Sequence, residues 1–269
     1  MAMTTPPISL SALGAMKGRG ERIACLTCYD ATFCQLLERA GVEVLLVGDS
    51  LGMVFQGRET TLPVKVEHMV YHAACVTQVR RQALVVADLP FLSCATPERA
   101  LESAGLLMQE GGAHMVKIEG GASVVPVVKL LTDHGVPVCA HLGLLPQSVL
   151  RLGGYRYQGR DEASAEQIQR DALALQEAGA GMLVLECVPA DLARRLSHSL
   201  SIPVIGIGAG NGCDGQVLVL YDMLGLNPGR PPSFSKDFLA GRGSVAEAVA
   251  AYVQEVKAGT FPGPEQTKL

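Results

Sequence analysis

Eight short apolar runs of β type recur along the chain, at residues 23–28, 42–47, 83–87, 114–118, 136–140, 182–185, 203–207 and 216–220. Helical-looking segments separate most of them. Residues 31–40 stop at Gly41, residues 97–110 open on Thr96-Pro97 and end at Gly111-Gly112, and residues 122–134 and 161–178 end at Gly135 and Gly179. A cap residue or proline at the start and a glycine just past the end are the chemistry of helix boundaries. Strands alternating with helices give a parallel sheet with helical crossovers, and eight strands favour closure into a barrel. The expected fold is therefore α/β, a single (β/α)8 TIM barrel over residues 1–269, with an extra N-terminal helix and a flexible tail from about residue 261. Only residues 208–215 separate the seventh and eighth runs, so a short or missing helix is expected between those strands. Residues 141–160 form a long connection rich in Gly, Tyr and Arg, of a length that is usually functional or mobile. Residues 226–234 are turn-rich, and residues 236–258 can form a terminal helix.

Composition narrows the function classes. The 269 residues suit one barrel of about 250 residues. Against 26 acidic residues stand 22 basic ones, and the net charge of −4 disfavours a general nucleic-acid binder. No apolar stretch reaches the roughly 18 residues of a membrane helix. The opening MAMTTPPISL lacks the basic-then-apolar pattern of a signal peptide. A cytoplasmic protein with neither nucleic-acid nor membrane partners is expected. Of the eight cysteines, Cys25 and Cys28 form a C-x-x-C, but IACLTC reads as a strand, on which residues three apart face opposite sides. Buried free thiols are expected, without zinc or redox chemistry.

The informative residues stand where apolar runs end. Asp49 closes VEVLLVGD, Asp88 closes ALVVAD, Glu119 follows HMVKI, and Glu186 closes MLVLE. In a barrel all strand C-terminal ends meet at one mouth, so four carboxylates converge. One acid at a strand end is readily a helix cap; four are harder to explain that way. Crowded carboxylates repel, and a divalent cation is the simplest means of keeping three ionised together. All-oxygen ligands suit Mg²⁺ better than zinc. Lys117 lies two residues before Glu119, so both point into the barrel. It can pair with a substrate carboxylate, form a Schiff base, or make a structural salt bridge. His141 follows VPVCA at the same mouth, as a structural histidine or a substrate contact. His68 and His72 are spaced i,i+4 without the H-E-x-x-H order, and a solvated helix face is expected of them. Residues 210–215 match G-x-G-x-x-G outside any βαβ context, so a tight loop at the mouth is expected there, with phosphate binding a minority option.

These stretches resemble ketopantoate hydroxymethyltransferases. The matching segments are Thr27-Cys28-Tyr29-Asp30, LLVGDSLGMVFQG at 45–57, TLPV at 61–64, VVADLPF at 85–91 and VKIEGG at 116–121. HLGLLPQS at 141–148, GGYRYQGR at 153–160, IGIGAG at 205–210 and DGQVLVLYDMLG at 214–225 complete the series, in order along nearly the whole chain. The tail after about Phe261 is the principal departure. The resemblance implies a (β/α)8 barrel that transfers a one-carbon unit from 5,10-methylenetetrahydrofolate to 3-methyl-2-oxobutanoate, giving 2-dehydropantoate on the way to pantothenate, through a Mg²⁺-stabilised enolate. It implies Mg²⁺ at Asp49, Asp88 and Glu119, substrate contacts from Asp49, Asp88, Ser50 and Lys117, with His141 beside them, and Glu186 as the base. It also implies a cytoplasmic homo-oligomer, often a decamer. Glu186, on the sixth run, is expected across the mouth from the metal cluster. Three other readings compete. A relative of phosphoenolpyruvate mutases or lyases would depend on a reactive cysteine in a mobile loop, and no cysteine lies between Cys139 and Cys187. A Schiff-base aldolase would act through Lys117. A non-catalytic barrel would show a lost ligand position, and none is lost.

Overall fold

The structure, a computed structural model, describes residues 6–227 and 229–268. Its eight strands are β1 (Ile23–Thr27), β2 (Val44–Val47), β3 (Leu84–Asp88), β4 (Met115–Glu119), β5 (Val138–Gly143), β6 (Met182–Glu186), β7 (Val204–Ile207) and β8 (Gly215–Leu218). They are parallel and pair in chain order into one closed barrel, β1 bonding both β2 and β8. Each expected apolar run is a strand. The helices are α1 (Leu10–Gly18), α2 (Ala31–Arg39), α3 (Leu51–Val54), α4 (Val66–Thr77), α5 (Pro97–Gln109), α6 (Val125–Asp133), α7 (Val149–Leu152), α8 (Glu162–Glu177), α9 (Ala190–Ser199), α10 (Leu220–Met223) and α11 (Val245–Ala258). Their starts are set locally: Asp30 accepts the N–H groups of Thr32 and Phe33, and Thr96 accepts that of Arg99 ahead of Pro97. No helix among the described residues is long and apolar enough to cross a membrane.

Alternation along each strand divides the core in two. Inward residues such as Cys25, Leu46, Val86, Met115, Cys139, Val184 and Val217 form one buried cluster, joined by Leu13 and Met16 of α1. Outward residues such as Leu26, Leu45, Val85, Val116 and Leu183 pack under the surrounding helices. The expected N-terminal helix, capped by Ser9, thus plugs the base of the barrel. Cys25 belongs to the inner cluster and Cys28 to the outer, so the C-x-x-C thiols face opposite sides and remain free.

Four expectations need amendment. No helix joins β7 to β8, as anticipated, but residues 208–214 are not a tight loop at the mouth. They descend to the base, where Asp214 Oδ2 accepts the Val204 N–H at 2.8 Å and Lys17 Nζ at 2.7 Å. Gly215 then enters β8 so close to β1 that a Cβ there would stand 2.4 Å from the Ile23 carbonyl oxygen. The terminal helix begins only at Val245, because Ser244 caps it and Gly241 and Gly243 break the preceding residues into turns. Tyr252 of α11 shares its hydroxyl hydrogen between the carbonyls of Cys25 and Gln216, at 2.8 and 2.9 Å, which ties the helix across β1 and β8. His72 does not lie on a solvated face: it is buried, with Nδ1 2.7 Å from the Tyr29 carbonyl and Phe55 packed edge-on to its ring. The tail also carries an anchor. Phe261 is buried between Phe238 and Tyr252, and a short turn at Pro264–Gln266 leads Lys268 to the mouth.

Candidate active site

The inward register that is apolar below becomes polar above. On β3 it runs Leu84, Val86, Asp88; on β4, Met115, Lys117, Glu119; on β5, Cys139, His141; on β6, Met182, Val184, Glu186. Asp49 follows the end of β2, and Ser50 sits at the start of α3. Together these side chains line a cavity of about 470 Å³ at the mouth, whose apolar walls include Leu46, Val184, Ile207 and Val217. The structure therefore brings every sequence-predicted site residue to one cavity.

Asp88 stands at the centre. Its Oδ2 accepts the Asp49 backbone N–H at 3.0 Å. Its Oδ1 lies 2.7 Å from Lys117 Nζ in a buried ion pair. Burial pulls the Lys117 ammonium toward neutrality, but the charges of Asp88, Glu119 and Asp49 outweigh it and hold the pKa above the ordinary value. A nucleophilic lysine needs the opposite shift. Burial, then the neighbouring Asp88 and Glu119, push the Asp49 carboxyl well above its usual range. Burial also raises Glu119, but His141, Lys117 and the Gln147 backbone N–H overcome it and lower the pKa.

His141 lies between two acids. Its Nδ1 is 3.5 Å from Glu119 Oε1 and its Nε2 is 3.3 Å from Glu186 Oε2, neither forming a hydrogen bond of good geometry. Burial and Lys117 depress its pKa; the two carboxylates outweigh them and raise it to about 9. Glu186 is thus opposite β2 in the barrel, yet only two strands from Glu119 and linked to it through His141. It does not cap α9, whose first turn has Pro189 before it and no side-chain cap.

Three features escaped the sequence reading. Gln147 donates through Nε2 to Asp49 Oδ2 at 2.8 Å and to the Leu89 carbonyl at 2.9 Å, and through its backbone N–H to Glu119 Oε2 at 3.0 Å. It comes from the 141–160 connection, which is partly ordered into the end of β5, a turn at Pro146–Ser148 and α7. The Tyr29 hydroxyl lies 2.9 Å from Ser50 Oγ. Cys187, next to Glu186, has φ of 48°, a left-handed conformation that a non-glycine residue adopts only when its surroundings enforce it. Here its N–H donates to the Ile207 carbonyl at 2.8 Å, and its own carbonyl accepts the Gln158 N–H at 2.9 Å. Only the Tyr29 contact had a local signal, the tyrosine ending β1's apolar run beside the capping Asp30.

The chemistry of the donors fits a hard divalent cation. Asp49, Asp88 and Glu119 offer only oxygen, and burial together with repulsion from Asp88 and Glu119 raises Asp49, a cost that a cation relieves. With Gln147 and Lys117 interposed, no three His, Cys, Asp or Glu side chains among the described residues stand as a preformed metal cage. Gln147 Nε2 donates to one of the two Asp49 oxygens.

The sequence matches the ketopantoate hydroxymethyltransferase family over residues 7–264. A 3-methyl-2-oxobutanoate hydroxymethyltransferase of Halorhodospira halophila is 58% identical over 258 residues, covering 96% of this chain and 94% of the relative. The enzyme of the same name from Methylococcus capsulatus is 59% identical over 259 residues, covering 96% of each. Among solved structures, the phosphoenolpyruvate phosphomutase of Streptomyces platensis subsp. rosaceus superposes with a TM-score of 0.61 at 15% identity, over 81% of this chain and 83% of its own. A phosphonopyruvate hydrolase superposes with a TM-score of 0.59 at 10% identity, over 94% and 98%. At those identities the likeness is one of fold.

Proposed function

The chain belongs to the ketopantoate hydroxymethyltransferase family and is an enzyme, and from that premise we propose that it transfers a hydroxymethyl group from 5,10-methylenetetrahydrofolate to 3-methyl-2-oxobutanoate. One water is consumed, and 2-dehydropantoate and tetrahydrofolate are released. The observation that carries this reading is the division of the mouth: Asp49, Asp88, Lys117 and Glu119 gather on β2 to β4, while Glu186 stands on β6 with His141 between.

Asp49, Asp88 and Glu119 would hold Mg²⁺. Bound there, the cation supplies Lewis-acid polarisation of the 2-oxo acid, which lowers the cost of the charge that develops as a proton leaves C3. The remaining work falls to the chain. Lys117, held as an ammonium, offsets the substrate carboxylate. Tyr29 can donate to Ser50, which frees the serine hydrogen for the substrate. Leu46, Val184, Ile207 and Val217 offer the isopropyl group an apolar wall. Glu186 takes the C3 proton, and His141, cationic at neutral pH, steadies it from the Glu119 side. The segment carrying Tyr155 and Tyr157 lies over the same cavity and can keep water from the reactive carbon.

Ketopantoate formation, followed with and without Mg²⁺ and methylenetetrahydrofolate, tests the reading. Formation that needs both supports it. Turnover in the presence of a chelator would contradict the metal route. The Schiff-base alternative is checked by borohydride treatment with 3-methyl-2-oxobutanoate, which is expected to leave Lys117 unmodified.

A further inference from the structure

The mouth holds more than a small oxo acid needs. A cavity of about 470 Å³ falls in the range of a drug-sized ligand, roughly 300–1,000 Å³. Its charges are also sorted by depth. Five carboxylates line it, Asp49, Asp88, Glu119 and Glu186 at the strand ends and Asp222 in α10, and the single lysine among the strand-end acids is already paired with Asp88. At the rim stand two exposed cations, Arg230 of the turn-rich segment and Lys268 of the C-terminal segment. Neither is in an ion pair among the described residues, and neither is used in the steps above.

Between floor and rim lies an aromatic layer. Tyr157 has the Lys268 ammonium 5.5 Å from its ring centroid. Phe234 packs beside Gly208 and Cys187, since a Cβ on Gly208 would stand 2.9 Å from the Phe234 ring and 3.1 Å from Cys187 Sγ. This layer therefore borders Glu186, on the side of the mouth away from Asp49 and Asp88. A second reactant that reaches the carbon Glu186 deprotonates from this side meets these rings. A flat heterocycle stacks well on such rings. A ligand with carboxylates at its far end is favoured with that end outward, because the rim cations are free to attract them while Lys117 and His141 below are already matched by Asp88, Glu119 and Glu186.

We propose that Arg230 and Lys268 form a subsite for the glutamyl carboxylates of the reduced folate, with Tyr157 and Phe234 flanking its aromatic portion. The assignment rests on the folate-dependent transfer set out above. It makes the rim a determinant of folate affinity and of preference for tails with more glutamates. It gives Arg230 and Lys268 no role toward the oxo acid.

The test is direct binding of two probes, tetrahydrofolate and tetrahydropteroate, the second lacking the glutamate. Both side chains are exposed, so Arg230→Ala, Lys268→Ala and the double variant can be made without opening the core. Exposed ion pairs are worth up to about 1 kcal/mol, so each single variant is expected to weaken tetrahydrofolate by about fivefold and the pair by roughly tenfold or more. Tetrahydropteroate should bind all four proteins alike, and added salt should narrow the difference between the probes in the parent. A double variant that binds tetrahydrofolate as the parent does overturns the subsite. So does one that loses both probes equally. The underlying reading is tested separately, by C3-hydrogen exchange of 3-methyl-2-oxobutanoate in the parent without folate. If the parent exchanges and the probe pattern fails, the subsite alone is wrong; if the parent neither exchanges nor binds tetrahydrofolate, both fall.

Discussion

Low in the barrel, β3 to β6 turn Val86, Met115, Cys139 and Val184 inward against the plug formed by Leu13 and Met16. One step further along the same strands, in the same register, they turn Asp88, Lys117, His141 and Glu186 into the mouth. Backbone geometry is shared, so the contrast lies in side-chain chemistry alone. Burying the lower set is favourable at roughly 25 cal/mol for each Å² of apolar surface. Burying the upper set is costly, as the raised Asp49 carboxyl shows, and the cost is only partly offset by neighbours of opposite charge. The lower half should therefore answer to stability measurements and the upper half to activity measurements.

Substitutions can break or sharpen that contrast. The largest effect is expected of Asp88→Ala, which removes one of the acids proposed to hold the cation and the partner of Lys117. Ketopantoate formation should fall by about a thousandfold and Mg²⁺ affinity should drop, while the protein stays folded, because relief of carboxylate repulsion offsets part of the loss of the Lys117 pair. A variant that binds Mg²⁺ and turns over like the parent would remove Asp88 from the site. Next comes the base. Leu13→Ala empties part of the plug and should cost about 2–5 kcal/mol in denaturant unfolding, with kcat close to parental. If kcat fell as far as for Asp88→Ala, the two halves would not be separable.

Smaller effects probe the border between them. Lys117→Arg keeps the charge but exchanges a compact ammonium for a planar fork, so KM for the oxo acid should rise by about tenfold while turnover remains measurable. Complete loss at saturating substrate would mean that Lys117 does more than offset charge. Gln147→Ala should do least. Its amide donates to Asp49 Oδ2, and freeing that carboxylate from a hydrogen bond of about 1 kcal/mol should tighten Mg²⁺ binding by roughly fivefold. Weaker binding would show instead that Gln147 holds the carboxylates in place for the ion.

The strands and the floor of the mouth were legible in the sequence because both are local. An apolar run followed by an acid announces a strand and its C-terminal end within a single short segment, and barrel closure then brings the ends together. Gln147 was invisible because its partner Asp49 lies 98 residues away and nothing near PQS signals a carboxylate. The same holds for His72, which the i,i+4 pattern left exposed and which the structure turns toward the Tyr29 carbonyl, 43 residues distant. Residues 236–244 matched a helix in composition, but two glycines and the Ser244 cap decided the boundary. Phe261 reads as the start of a tail because sequence cannot show that Phe238 and Tyr252 leave room for its ring.

The central claim is that the upper half of the barrel is built to remove one proton, with Glu186 as the base and the other acids serving the cation. The most direct measurement is exchange of the C3 hydrogen of 3-methyl-2-oxobutanoate into deuterated water, without folate and with saturating Mg²⁺, in the parent and in Glu186→Gln. The account predicts that the variant retains Mg²⁺-dependent substrate binding and loses exchange by about a hundredfold or more. Exchange at the parental rate would contradict it and pass the role of base to another group.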